Sequence, residues 1–282
     1  NIGWQLPKIA WAIKSEQERI EQLVSQNNID TVISDNRFGA HSSRTRNIFL
    51  THQLHLKIPF RPLSRIANWC NHYFIRRFDE LWIPDFADVE NSLAGSLSHP
   101  PLPQITTHYL GALSRFSTSV VQENTASQYD LFVLMSGPEP QRTFLEEQLI
   151  EQIRASGLTA IVAQGKTERR ESYTLGRRIK VVNYLSAKEI SATAAVSKFM
   201  VCRSGYSTIM DLYRLQKNAI LIPTPGQTEQ EYLADVLRRE GIFYSMSQRA
   251  FDLKTALSNA KNFTGFRRRT DSRRYTRWSE LL

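Results

Sequence analysis

Apolar residues recur at helical spacing near the start of the chain, where Ile9, Ile13, Ile20 and Leu23 or Val24 predict a helix centred on residues 16–26. It runs into the β-branched segment DTVISD at 30–35, which reads as a strand ending in a polar turn. NIFLTHQL (47–54) repeats the strand signal, and DELWIP (79–84) gives it again. Between these two, Leu63, Ile66, Trp69, Cys70, Tyr73 and Phe74 mark an amphipathic stretch. The pattern lapses over residues 95–128, which are rich in Pro, Ser and Thr. It then resumes as YDLFVLMSG, a helix over 144–155, TAIVAQG, IKVVNYL, helix AKEISATAA, SKFMVCRSG, a helix over 206–216, NAILIPTPG and a helix over 229–240.

Short apolar strands alternating with helices predict an α/β protein with parallel sheets covered on both faces. The lapse divides it into a first domain at 1–112, a linker at 113–128 and a doubly wound second domain at 129–262. A basic tail follows at 263–282. No repeat of solenoid length is present.

Composition narrows the class. The chain has 282 residues, 41% of them hydrophobic and 22% charged, the balance of an ordinary globular protein. Its two cysteines, Cys70 and Cys202, have no zinc spacing and suggest no disulfide framework, so a reducing, cytoplasmic compartment is expected. The apolar runs are far too short for a membrane span, and the first residues lack the pattern of a signal peptide. A net charge of +9 points to an anionic partner: nucleic acid, membrane surface or phosphorylated substrate. The charge is concentrated at Arg61, Arg65, Arg76 and Arg77, and again at RRRTDSRRYTR (267–277).

Three loops belong at the carboxyl edge of the second sheet, where open α/β sheets bind ligands and helix N-termini favour anions. MSGPEPQR (135–142) is either a phosphate cradle, with Ser136 and Gly137 admitting the backbone and Arg142 supplying charge, or a plain strand-to-helix turn. In CRSGYSTIMD (202–211), Ser204 and Gly205 form a turn whose amides can meet a diphosphate, while Asp211 can accept from ribose hydroxyls or be solvated. PTPGQTEQE (223–231) offers Gln227, Glu229, Gln230 and Glu231 to sugar hydroxyls, or is a helix start with favourable acids in its first turn.

The order strand, CRSG, acid-bearing helix, strand, PTPGQTEQEY resembles the nucleotide-sugar half of two-domain GT-B glycosyltransferases, in particular the MurG-like group of glycosyltransferase family 28. The likeness covers roughly residues 129–241. It implies two Rossmann-like domains and a UDP-sugar substrate with no further cofactor and no essential metal. It implies that Asp211 holds the ribose, that Arg203, Ser204, Gly205 and Tyr206 lie by the diphosphate, and that Gln227, Gln230 and Glu231 face the sugar. Tyr184 and the backbone of Leu185 would enclose the uracil, with Ser136, Gly137 and Arg142 as the second phosphate loop. Pro138 and Pro140 depart from the Gly-rich form of that loop in the family.

The first half is similar to the later part of the family's acceptor domain, so about 90 preceding residues are expected to be missing, leaving a half-sheet with an open edge. Asp35 and His52, closing successive strands, are candidates for acceptor-side base chemistry in an interdomain cleft, or a turn cap and a structural histidine. The implied activity is inverting transfer of a hexosyl or N-acetylhexosaminyl group to a saccharide or lipid-linked acceptor, by an enzyme that is cytoplasmic or peripheral on the inner membrane face. Residues 57–77 read either as core aromatics or as an anionic-membrane patch. Competing expectations are a UDP-sugar 2-epimerase, for which a carboxylate cluster is lacking, and a basic nucleic-acid-binding protein, for which an RNA-recognition motif is lacking. No Gly-x-Gly-x-x-Gly follows the first strand of either half, which disfavours a dehydrogenase.

Overall fold

Runs of alternating β-branched and large apolar residues form parallel strands in two separate sheets of a computed structural model that describes residues 6–116, 127–266 and 275–282. The chain divides into a first unit, residues 6–112 with 275–282, and a second unit, residues 113–266.

In the first unit, α1 (Leu6–Asn27) leads into β1 (Thr31–Asp35), followed by β2 (Arg46–Leu50), α2 (Arg61–Ile75), β3 (Glu80–Ile83) and β4 (Thr106–Tyr109). The four strands are parallel and lie in chain order. β4 falls within the stretch where the sequence pattern lapses, because TTHY is short and only half-buried. Phe49, Leu54, Ile75, Phe78, Leu81, Ile83 and Leu102 form the core, with the Phe38 ring stacked 5.4 Å from Phe49.

The Pro/Ser-rich loop after β3 is organised by Asp85, which is fully buried. Its carboxylate accepts from the Phe86, Leu93 and Ala94 amides and from the Ser92 and Ser98 hydroxyls. Five donors replace the water that this charge gives up. An irregular segment is thereby held as firmly as an element.

The second unit contains β5 (Tyr129–Leu134), α3 (Gln141–Ser156), β6 (Ala160–Ala163), β7 (Ser172–Leu175), β8 (Ile179–Val182) and α4 (Ala187–Ala195). β9 (Ser197–Cys202), α5 (Tyr206–Leu215), β10 (Ala219–Leu221), α6 (Thr228–Arg239), β11 (Tyr244–Ser245) and α7 (Leu253–Ala260) complete it. The strand order is β11-β10-β9-β5-β6-β8-β7, with β7 antiparallel at one edge and the other pairs parallel. After β5 the chain winds outward through β6 and β8, then α4 carries it back so that β9 pairs with β5 from the other side. This reversal between β5 and β9 is the switch point of a doubly wound sheet. α4 starts at a reciprocal cap, in which the Ser186 hydroxyl accepts from the Glu189 amide and the Glu189 carboxylate from the Ser186 amide.

The basic tail differs from a solvated end. Phe263 and Phe266 pack in the second unit, on Tyr244 and Phe243. Residues 275–282 belong to the first unit: the Thr276 amide donates to the Tyr109 carbonyl at 2.7 Å, and Arg46 donates to the Leu281 carbonyl at 2.8 Å. The Tyr275 ring covers Gly111, where a Cβ would stand 3.1 Å from the ring and the backbone has φ +70°. Most of the Arg-rich run, residues 267–274, lies outside the described residues, as does 117–126 of the expected linker.

Candidate functional site

Carbonyl-edge loops of β5, β6, β8 and β9 surround one cavity of about 670 Å³, all of whose lining residues belong to the second unit. It opens at the switch point. From the β5 loop come Met135, Ser136, Gly137 and Arg142; from the β6 loop, Gly165 and Thr167; from the β8 loop, Tyr184 and Leu185; from β9 and α5, Gly205, Ser207, Thr208 and Asp211; from α6, Gln230.

The floor on the β9 side is the start of α5. Gly205 is its N-cap and no side chain caps it, so first-turn amides of α5 face the cavity's rim with the positive end of the helix dipole behind them. An anion is the natural complement of such an end. Asp211 stands one turn further along, on the same face as Ser207 and Thr208. Its carboxylate accepts from the Ser114 hydroxyl at 2.6 Å and faces the Arg115 guanidinium at 3.4 Å. Burial raises the Asp211 pKa, against the opposing pull of Ser114 and Arg115.

Opposite this helix, the β5 loop meets the β6 loop. A Cβ at Gly165, whose φ is +71°, would stand 2.8 Å from the Met135 carbonyl oxygen, so only glycine lets the two loops approach. The Gly165 carbonyl accepts from Arg142 Nη1 at 2.9 Å, while the other side of the same guanidinium is held by Glu139. Arg142 thus lines the cavity as a tethered, partly neutralised charge. Ser136 and Gly137 line it as well, and Pro138 and Pro140 do not remove the loop from the site.

At the start of α6 the amide side chains are engaged with each other and the backbone. Gln230 Oε1 accepts from the Thr224 amide at 2.9 Å and its Nε2 donates to Gln227 Oε1. Glu231 accepts from the Gly226 amide at 3.0 Å. Gln230 lines the cavity; Gln227 and Glu231 support the turn beside it.

Three expectations change. Arg203 is 1% exposed and is no lining residue. Its guanidinium donates to the Gln141 carbonyl at 2.9 Å and to the Ile222 and Pro223 carbonyls at 3.3 Å, tying the ends of β9, β10 and α3 together. Burial pushes its pKa down to about 10. Ser204, also buried, donates to the Gln230 carbonyl at 2.8 Å and so fixes the start of α6 rather than reaching the cavity. Tyr206 is buried behind the helix start. Cys202 is buried beside it, and burial raises its thiol to about 12, which leaves it inert.

Sequence reading missed Ser114 and Arg115, which it placed in a linker, and nothing local to SRF announces a partner 97 residues away. Ser207 and Thr208 were legible in principle, four and three residues before Asp211 on one helical face. Asp35 and His52 lie in the first unit, Asp35 as the last residue of β1 and His52 two residues beyond the end of the neighbouring β2. Asn36 and Thr51 join those two ends through a 3.1 Å side-chain hydrogen bond. Among the described residues, no three His, Cys, Asp or Glu side chains converge as a metal site.

Residues 127–263 match the family model of the glycosyltransferase family 28 C-terminal domain. The second unit is thus similar to the family 28 C-terminal domain. A curated relative, the UDP-N-acetylglucosamine--N-acetylmuramyl-(pentapeptide) pyrophosphoryl-undecaprenol N-acetylglucosamine transferase of Caldanaerobacter subterraneus subsp. tengcongensis, is 31% identical over 88 residues. That match covers 30% of this chain and 24% of the relative's length. Among solved structures, MurG of Acinetobacter baumannii aligns with a TM-score of 0.57 at 13% identity, over 90% of this chain and 72% of that one. A glycotransferase of kitacinnamycin gives 0.61 at 12% identity, over 94% and 78%. The spinosyn rhamnosyltransferase SpnG, solved in complex with thymidine diphosphate, gives 0.59 at 12%, over 94% and 75%. The fold is that of the GT-B glycosyltransferases.

Proposed function

We propose that this chain transfers a sugar from a UDP-sugar to a saccharide or lipid-linked acceptor, with inversion and without a metal. The observation that carries the reading is the juxtaposition, in the family 28 domain, of the uncapped α5 start with Asp211 one turn later in the switch-point cavity. A nucleoside diphosphate has the matching chemistry: the diphosphate takes the amides, the ribose hydroxyls donate to Asp211, and the base lies against Tyr184 and Leu185. As the glycosidic bond breaks, charge grows on the departing diphosphate, and prealigned amides stabilise it at that moment more than in the ground state. Gln230 and the neighbouring Gln227 and Glu231 supply donors and acceptors for sugar hydroxyls. Asp35 or His52 takes the acceptor proton in this reading, and the enzyme works at the inner face of the cell membrane.

Titration calorimetry of UDP, thymidine diphosphate and a panel of UDP-sugars against wild type and Asp211→Ala tests it. Selective UDP binding weakened about tenfold or more in the variant, the scale of one or two lost hydrogen bonds to a charged group, is the expected result. A folded wild-type protein that binds no nucleotide overturns the reading.

A further inference from the structure

Three residues that precede the stretch at 127–263 matching the family model reach the wall of the donor cavity. Leu113 and Arg115 line it, and Ser114 between them bonds Asp211. Ser114 Oγ accepts from the Phe116 amide at 3.1 Å, and the Phe116 side chain is buried, so the turn is anchored and the hydroxyl proton is committed to Asp211 Oδ1. Arg115 attends the other oxygen. Its Nε stands 3.4 Å from Asp211 Oδ2, while its guanidinium carbon lies 5.1 Å over the Phe116 ring. Each carboxylate oxygen therefore has one neighbour from this turn and keeps acceptor capacity for a ligand.

The arrangement is closed on one side and open on the other. The Ser114 bond at 2.6 Å is short, whereas the Arg115 contact at 3.4 Å is longer than a formed charge-assisted hydrogen bond of about 2.8 Å. Because Nε is the atom that faces the acid, the two terminal NH2 groups of the guanidinium are left for what enters the cavity that Arg115 lines. Fastening the turn to α5 requires only the Ser114 bond. A cation set loosely beside the acid in a cavity wall adds donors next to an acceptor, and a hydroxyl group can answer both at once.

We propose that Ser114 and Arg115 make this pocket select a ribonucleoside diphosphate over its 2′-deoxy counterpart, Ser114 as a positioning residue acting through Asp211 and Arg115 as a direct contact. The inference rests on the donor reading above and deepens it. A vicinal diol brings two O–H donors to the two carboxylate oxygens, and a hydroxyl that gives its proton to Asp211 still has lone pairs to accept from Arg115. Removing the 2′-hydroxyl leaves an acid and a guanidinium facing a methylene with no replacement partner, and sites built around a substrate hydroxyl reject such analogues strongly. Ser114 holds Oδ1 in place, so that Asp211 presents its oxygens to the diol instead of turning to close the pair with Arg115. The selecting residues thus come from outside the matched stretch.

The test is titration calorimetry of the full chain with UDP and with 2′-deoxy-UDP, using wild type, Ser114→Ala, Ser114→Thr and Arg115→Lys, each checked for an unchanged melting temperature. Wild type is expected to bind UDP about tenfold or more tightly than 2′-deoxy-UDP. Ser114→Ala and Arg115→Lys should lose most of that preference by weakening UDP alone; the lysine keeps the charge that any diphosphate feels but lacks the planar fork. Ser114→Thr, which retains the hydroxyl, should keep the preference. Equal loss of affinity for both nucleotides in Ser114→Ala, as a merely structural tie would give, overturns the proposal, and so does a preference unchanged in both Ser114→Ala and Arg115→Lys. Wild-type binding of both nucleotides with equal affinity overturns it while leaving the donor reading standing; binding of neither overturns both.

Discussion

Ser114 donates its hydroxyl proton to Asp211 over 2.6 Å, joining the first residues of the second unit to the middle of α5. The acid held this way is buried, and burial raises its pKa. The folded protein therefore binds a proton more tightly at Asp211 than the unfolded chain does. Its stability contribution is present below the ordinary aspartate range and is lost as pH rises through the raised value. An ionised Asp211 thus costs stability at neutral pH.

Asp211→Asn is accordingly expected to raise the melting temperature by about 1 to 3 °C at pH 7, with the gap closing as pH falls toward about 4. The same substitution should weaken UDP binding. Thermal melts across pH check the first half, and a variant less stable than wild type at pH 7 would contradict it.

Arg203 holds three carbonyls, one at the start of α3 and two just past β10, and is not among the residues that line the cavity. Arg203→Ala leaves those acceptors unpaired and is expected to cost about 2–4 kcal/mol in urea unfolding. Any loss of nucleotide affinity should follow from loosened loops. Arg203→Lys, which retains the charge without the planar fork, recovers only part of the stability.

Asp130 behaves oppositely to Asp211. The Lys198 ammonium at 2.7 Å, with help from the Thr159 amide and hydroxyl, lowers its pKa to about 2. Its contribution is present above the ordinary aspartate range and disappears as pH falls through about 2. Asp130→Asn should cost roughly 1 kcal/mol near neutrality, typical of a part-exposed ion pair with hydrogen bonds. Urea midpoints of the two proteins are expected to converge in acid.

Gly165→Ala combines a left-handed backbone with a Cβ 2.8 Å from the Met135 carbonyl oxygen. It is expected to destabilise by about 1–3 kcal/mol. Because the Gly165 carbonyl anchors Arg142, nucleotide affinity should fall with it, whereas Gly176→Ala, which shares the positive φ but has no neighbour within 4 Å, should cost less and leave binding unchanged. Melting curves and UDP titration of the pair separate strain from crowding.

The strands that could be read directly were those whose apolar residues run uninterrupted, such as Leu131 to Val133 and Met200 to Cys202, both buried on two faces. β7 escaped because an exposed antiparallel edge strand needs no such run, and β11 because it pairs through two residues only. The loops flanking the switch point were legible from Gly, Pro and acid spacing alone, which is why Ser136, Gly137, Gly205, Asp211 and Gln230 meet in one cavity. Arg203 and Ser204 were not, since a sequence cannot say whether a polar residue beside a glycine turns toward the cavity or bonds the backbone behind it. Ser114 and Arg115 reach Asp211 only through the winding of the whole sheet. For α2 the signal was present and ambiguous: aromatics at helical spacing suit a core, and only the carbonyls of the 53–56 loop, which accept from Asn68, Asn71 and His72, show that asparagine and histidine occupy the inner face.

The return of residues 275–282 to the first unit also sets an order of events in synthesis. The strands of that unit leave the ribosome first, yet Arg46 and Tyr109 obtain their partners at Leu281 and Thr276 only once the second unit has been made. The second unit can finish as a contiguous stretch while its neighbour waits. The part of the chain that begins first is completed last.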